Sequence, residues 1–216
     1  ATSTARKPLS ERGEQVLKLF AGLIAQSIQK ESLVTQLREA NAALIAHSYT
    51  DALTGLPNRR AIFEDLTTLF SLARHLKRNT VIAFIDLDDF KLINDRYGHE
   101  AGDQFLIEVG KRLTEEKQQD DIIGRLGGDE FLVASLSTSH SEGDNAQVTL
   151  LKTRLSACIA GEYWLGSVNL IYPGASVGVI EVDPRVTDPD SALRDADVAM
   201  YQDKKGKSKT RFLTMD

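Results

Sequence analysis

The sequence predicts an α+β sandwich of ferredoxin-like type, built on a central, mostly antiparallel sheet and preceded by a long N-terminal helix. Three observations lead there. Residues 80–87 (TVIAFIDL) form a near-continuous, β-branched apolar run, as a strand buried on both faces requires. Residues 121–125 and 130–136 read as two strands joined by a short turn containing Gly, a hairpin. Around these runs, segments of helical period alternate with strand-like ones instead of clustering at one end.

Residues 10–48 contain no Pro and only two Gly, and their apolar residues recur at helical spacing. Val34, Leu37 and Leu44 fall at a and d positions of a heptad, with Asn41 at the intervening a position. Extended backwards, that register keeps Phe20 and Leu23 in the seam but also Ser27 and Lys30. Leu17, Phe20 and Ile24 fit a shifted register, and the phase change near residues 27–33 has the form of a stutter. Two arrangements satisfy this pattern: a parallel two-stranded coiled coil whose register Asn41 selects, and a single amphipathic helix packed on its own domain. The first is the expectation carried forward. It divides the chain into a helical segment, residues 1–48, and a domain, residues 49–216.

Residues 51–60 (DALTGLPNRR) are a loop on turn chemistry, with Gly55, Pro57 and Asn58 clustered. Asn58 is placed to cap a helix whose apolar positions Ile62, Leu66, Leu69, Phe70 and Leu76 keep period 3.6. After the strand at 80–87, a helix is expected over 101–116, then the hairpin, then a helix over 146–160. Strands over 167–172 and 175–182, a helix over 190–204 and an edge strand over 210–213 complete the pattern.

Of the 216 residues, 42% are hydrophobic and 26% charged, which suits a globular chain and excludes a disordered or fibrous one. A net charge of −5 argues against a nucleic-acid surface, because neutralising phosphates needs an excess of Lys and Arg. A small anionic ligand needs only a local cluster of donors. The one cysteine, Cys158, forms no internal disulfide and fits a reducing, cytoplasmic setting. The most apolar early stretch, residues 17–28, falls short of the roughly 20 apolar residues that span a bilayer. No signal peptide is legible, and the first residue, Ala1, suits an excised fragment.

The buried strand ends in Asp86, Leu87, Asp88 and Asp89. Carboxylates at the end of an apolar strand are costly unless something positive meets them. Alternation puts Asp86 and Asp88 on one face, with Asp89 starting the loop. By itself this cluster fits a helix cap as well as a cation site. The hairpin adds Asp129 and Glu130 directly after Gly127 and Gly128. Two glycines there fit an ordinary tight turn, and equally a backbone against which a ligand lies. If the hairpin strands flank the Asp86 strand, Asp86 and Asp129 converge, and two carboxylates with a carbonyl oxygen suit Mg²⁺ shared with nucleotide phosphates.

Gly127 to Phe131 spell GGDEF, and the sequence resembles the diguanylate cyclase family that carries this signature. Residues 86–103 (DLDDFKLINDRYGHEAGD), 51–60 and 197–204 (DVAMYQDK) resemble that family's other motifs, in family order, so that the resemblance covers about residues 49–213. It implies a nucleotidyl-cyclase palm of the same ferredoxin-like type. It also implies Mg²⁺, two ions per site with Mn²⁺ as a substitute, held by Asp86, the carbonyl of Leu87, Asp129 and Glu130. Asp129 matches the position assigned as general base, and Lys91 the one that stabilises phosphate charge. The backbone amides of Asp89, Phe90 and Lys91 match a phosphate cradle. Asn94 and Asp103 match guanine readers, His99 a substrate contact, and Lys204 and Lys207 the last helix's phosphate cations.

The chain departs from the family in two places. Product-inhibited members carry RxxD before the signature; here the window is Gln118, Gln119, Asp120, Asp121, so Asp121 matches but Gln118 brings no charge. The last helix ends Lys204-Lys205-Gly206-Lys207-Ser208, one residue tighter than the family pattern and without its Arg.

The resemblance implies the condensation of two GTP into cyclic 3′,5′-di-GMP and two pyrophosphates. Each domain offers half a site, so the implied partners are a second copy of the chain and an upstream sensory module. A degenerate domain that only binds nucleotide would erode the signature, Asp86 or Lys91, and all are present. A cyclase acting within one nucleotide would carry other base readers than Asn94 and Asp103.

Overall fold

The structure, a computed structural model, describes residues 11–118, 120–138, 146–207 and 213–214. The contacts divide the chain into Ala1–His47 and Ser48–Asp216. In the first unit lies most of α1 (Glu11–Tyr49), a helix of 39 residues and about 58 Å at 1.5 Å per residue. Phe20, Leu23, Ile24, Ile28, Leu33 and Val34 are all exposed on it. The seam positions Leu17, Leu37, Asn41 and Leu44 lie outside the described side chains. No described helix is long and apolar enough to cross a membrane.

The second unit runs α2 (Arg59–Leu76), β1 (Thr80–Asp86), α3 (Phe90–Tyr97), α4 (His99–Glu115), β2 (Ile122–Gly127), β3 (Glu130–Leu136), α5 (Ala146–Ile159), β4 (Gly161–Leu165), β5 (Val168–Tyr172), β6 (Ser176–Val182), α6 (Pro189–Gly206) and β7 (Leu213–Thr214). The main sheet has the order β2-β3-β1-β6, and all three ladders are antiparallel. With the β4–β5 excursion set aside, this is the expected ferredoxin-like connectivity. One premise is corrected: β3 alone of the hairpin adjoins β1, and the other neighbour is β6.

Asn58 caps α2 as expected, its side chain accepting from the amides of Arg60 and Ala61. Every residue of β1 is buried, and its alternation serves two cores. Val81, Ala83 and Ile85 pack with α4, α5 and the second sheet, whereas Ile82 and Phe84 pack with α2 and α6. Gly178 on β6 lets α6 approach closely, since a Cβ there would collide with the backbone of Met200.

Three elements differ from expectation. Residues 90–97 form α3, which buries only Ile93 and so lacks a readable apolar stripe. Residues 161–165 form β4, where buried Tyr163 and Leu165 alternate with exposed Glu162 and Trp164. The terminal strand is the two-residue β7, which pairs with β5 in a second sheet of order β4-β5-β7; residues 210–212 of the expected strand lie outside the described residues.

Candidate active site

Period 2 along β1 carries Asp86 to the same face as Ile82 and Phe84, the face that α6 covers. There Lys204, in the last turn of α6, puts its Nζ 2.6 Å from Asp86 Oδ1. Glu130 is the direct cross-strand partner of Asp86, so two carboxylates share that face. Asp129 sits in the turn, and its carbonyl accepts from the Leu87 amide at 3.2 Å, which ties the hairpin to the end of β1. Gly127 and Gly128 have φ of 141° and 54°, conformations that side chains rarely adopt, and open space lies where their Cβ atoms would be.

The electrostatics follow from this crowding. Burial, and then the charge of Asp86, raise the Asp129 carboxyl above its ordinary value. Burial raises Glu130 as well, reinforced by Asp129, Asp86 and Asp197 and opposed by Arg59. Burial alone would depress Lys204, but the bond to Asp86 and the charges of Asp86, Asp129 and Asp88 outweigh it and raise the ammonium. Asp129 and Glu130, both raised, crowd Asp86 around one lysine and are short of positive charge, and a hard dication suits that donor set. Among the described residues, no three His, Cys, Asp or Glu side chains gather as a complete metal cage. Two carboxylates and a carbonyl suit an ion that shares its other positions with phosphate and water.

The turn after β1 is held from several sides. Asp88 Oδ1 accepts from Ser176 Oγ at 2.6 Å, Oδ2 lies 3.4 Å from Lys207 Nζ, and the Asp88 carbonyl accepts from Tyr172 Oη at 3.0 Å. Asp89 is left-handed at φ 57° and precedes α3 without a side-chain cap. Of the three amides expected to cradle phosphate, that of Phe90 donates to the Leu87 carbonyl at 3.3 Å; the carbonyl keeps a second lone pair. Lys91 is exposed in the first turn of α3, and His99, also exposed, opens α4.

Asn94 on α3 and Asp103 on α4 come from two helices packed on each other. The seating of Asn94 against α4 depends on a residue the sequence reading passed over. A Cβ on Gly102 would collide with Asn94 Oδ1, so this glycine makes room for the Asn94 side chain against α4. Its signal was a glycine inside a helical pattern. Also missed were Tyr172 and Ser176, which no local motif marks, and Asp203, which lies within the 197–204 motif but was given no role. Asp121 is 5% exposed, and its Oδ2 accepts from the Gln118 amide at 3.0 Å and from Arg154 Nη2 at 3.3 Å. Asp121, the acid of the 118–121 window that matches the family pattern, is therefore bonded internally. A cavity of about 680 Å³ opens beside Leu126 between Arg59, Phe63 and Leu193, and none of the expected site residues lines it.

A carboxylate cluster at the meeting of a buried strand and a glycine hairpin, beside the first turn of a short helix, defines a nucleotide-handling palm. The sequence profile described as "Diguanylate cyclase, GGDEF domain" matches residues 48–210, and this chain belongs to that family. It is 66% identical over 213 residues to the diguanylate cyclase DgcP of Escherichia coli (strain K12), covering 99% of this chain and 61% of that protein. It is 36% identical over 174 residues to the cyclic di-GMP phosphodiesterase PdeR of the same organism, covering 80% of this chain and 25% of that protein. The chain thus spans about three fifths and one quarter of these two relatives. Among solved structures, the coiled coil and GGDEF domain of DgcB from Caulobacter crescentus, in complex with c-di-GMP, superposes with a TM-score of 0.76 at 25% identity. That match covers 87% of this chain and 96% of the other.

Proposed function

We propose that this chain condenses two GTP molecules into cyclic 3′,5′-di-GMP. Each ribose 3′-oxygen attacks the α-phosphorus of the other nucleotide, two P–O bonds form, two pyrophosphates leave, and the two hydroxyl protons are released. The observation that carries this reading is the placement of Asp86 opposite Glu130, with Asp129 tied beside them through the Leu87 amide. Asp129, Glu130 and Phe131 of the GGDEF signature thereby meet the end of β1.

Asp86, the Leu87 carbonyl and Asp129, with Glu130 alongside, would hold Mg²⁺, or Mn²⁺ in its place. Such an ion acidifies a bound hydroxyl and offsets charge that develops at phosphorus. Asp129, already raised by burial and by Asp86, is placed to take the 3′-hydroxyl proton. Lys91 offsets phosphate charge from the first turn of α3, next to the amides of Asp89 and Phe90. Lys204, with Lys207 beside it, supplies positive charge from α6. Asn94 and Asp103 read guanine, since a carboxylate accepts from both N1–H and the exocyclic amine, and His99 flanks the bound nucleotide.

One domain holds one GTP, so two copies must face each other. The exposed apolar residues of α1 support its role as a parallel dimeriser, joined in the longer protein to a sensory module. GTP supply places the reaction in the cytoplasm. Incubating the purified chain with GTP and Mg²⁺ and weighing the product tests the reading. Formation of cyclic di-GMP supports it, whereas GTP left unconverted, or converted to a different nucleotide, would overturn it.

A further inference from the structure

The C-terminal turn of α6 carries an acid that the proposed reaction does not use. Asp203 Oδ2 accepts from the Val177 amide at 3.0 Å and lies 3.2 Å from Lys207 Nζ, while Oδ1 accepts from Lys152 Nζ at 2.6 Å. Burial alone would raise this carboxyl, but these donors hold it below its usual value. Lys207 also donates to the Ala175 carbonyl at 2.6 Å and lies 3.4 Å from Asp88 Oδ2. An ammonium has three N–H groups, and here three protein acceptors surround it.

Asp88 is the other end of this chain of contacts. It precedes the left-handed Asp89, and Tyr172, Ser176 and Lys207 hold it from β5, β6 and the residue that follows α6. A non-glycine residue at φ 57° costs about 1 kcal/mol or more and persists where its surroundings over-determine it. The turn so held presents Lys91, exposed in the first turn of α3.

We propose that Asp203 is a positioning residue for the phosphate end of the site, acting through Lys207 and Asp88 on the turn that opens α3. The proposal rests on the reading of this site as one for GTP. It narrows the role of Lys207, which serves phosphate by fixing Asp88 instead of by a direct bond.

The test uses the full chain with Mg²⁺ and 3′-deoxy-GTP, which binds but lacks the attacking hydroxyl, with affinity measured by calorimetry. Asp203→Asn keeps an acceptor for the Val177 amide but loses the charge that holds Lys207. Asp203→Asn and Lys207→Met should each weaken binding about 3- to 10-fold. The double variant should bind no worse than the weaker single, because both act on one contact. Asp203→Glu should restore part of the loss. Lys152→Met, which touches only the outer oxygen of Asp203, should lower the melting temperature and leave affinity unchanged. Wild-type or tighter binding by Asp203→Asn would mean that the released Lys207 bonds phosphate directly, and this overturns the proposal. Additive losses in the double variant overturn it too. A wild-type chain that binds no 3′-deoxy-GTP removes the GTP reading itself, and the proposal with it.

Discussion

Arg125 Nη1 lies 2.8 Å from Asp51 Oδ1, while its Nε and Nη2 donate to the Gly128 carbonyl. One guanidinium thereby joins the loop ahead of α2 to the turn of the signature hairpin. Only 10% of the Arg125 side chain and 22% of that of Asp51 are exposed, so removing either partner strands a largely desolvated charge. Asp51→Asn should cost about 1–3 kcal/mol, or roughly 2–4 °C of melting temperature per kcal/mol at this domain size. Burial alone would raise the Asp51 carboxyl, but the bonds from Thr54 and Arg125 lower it. Its stabilising effect is therefore complete above the unfolded value near 3.9 and fades as pH falls through the lowered folded one. Melting curves from pH 7 down to pH 3 should show the wild type and Asp51→Asn converging at the acid end. A constant gap would mean that the pair does not titrate as assigned.

Asp129 and Glu130 have the opposite linkage. Their raised carboxyls bind protons more readily in the folded state, so they oppose folding as pH rises through the ordinary carboxylate range. Asp129→Asn should melt higher than the wild type at pH 7 without divalent cation, yet lose nearly all synthesis. Adding Mg²⁺ should raise the wild-type melting point and leave this variant unmoved. Asp86→Asn should also lose synthesis, but it loses the Lys204 pair as well and gains no stability. Full turnover in either variant would remove the metal-site assignment.

Gly102 offers a test of base reading that leaves both readers in place. Gly102→Ala gains helix propensity of about 1 kcal/mol but drives its methyl into Asn94. The expected result is a stable fold with KM for GTP raised about 10-fold, as for a misplaced hydrogen-bonding group. An unchanged KM would mean that Asn94 does not contact the base.

The inhibitory window calls for more than one change. Gln118→Arg restores the missing charge, but Asp121 remains buried against Arg154 and the Gln118 amide. Progress curves for Gln118→Arg should stay close to the wild type, with little product inhibition in either. Strong inhibition of the single variant would show that Asp121 leaves Arg154 readily.

Dimerisation through α1 predicts a concentration effect. Tethering two loaded domains raises their effective concentration to the order of millimolar, and removing residues 1–47 abolishes that gain. Specific activity of residues 48–216 should climb with protein concentration, while that of the full chain should be nearly flat. Coincident flat curves would place dimerisation on the catalytic domains themselves.

Local chemistry in the sequence determined much of this protein. The apolar run of β1, the cap at Asn58, the glycines of the hairpin and the periods of α2, α4, α5 and α6 each act over a few residues. The same is true of the contiguous motif that holds Asp129 and Glu130. The helix α3 escaped because it buries one residue, too few for a stripe to register; β4, no shorter than β5, escaped as well. Tertiary structure alone decided which distant groups meet. That Lys204 and Lys207 close on Asp86 and Asp88 follows from the passage of α6 over the face of β1 that carries Ile82 and Phe84. That Asp121 is spent on Arg154, and Asp203 on Lys152, follows from packing between residues tens of positions apart, whereas Asp203 and Lys207 lie only four apart at the end of α6. Charge pairing is set by distance in space, and sequence spacing constrains that distance only within one helix or strand.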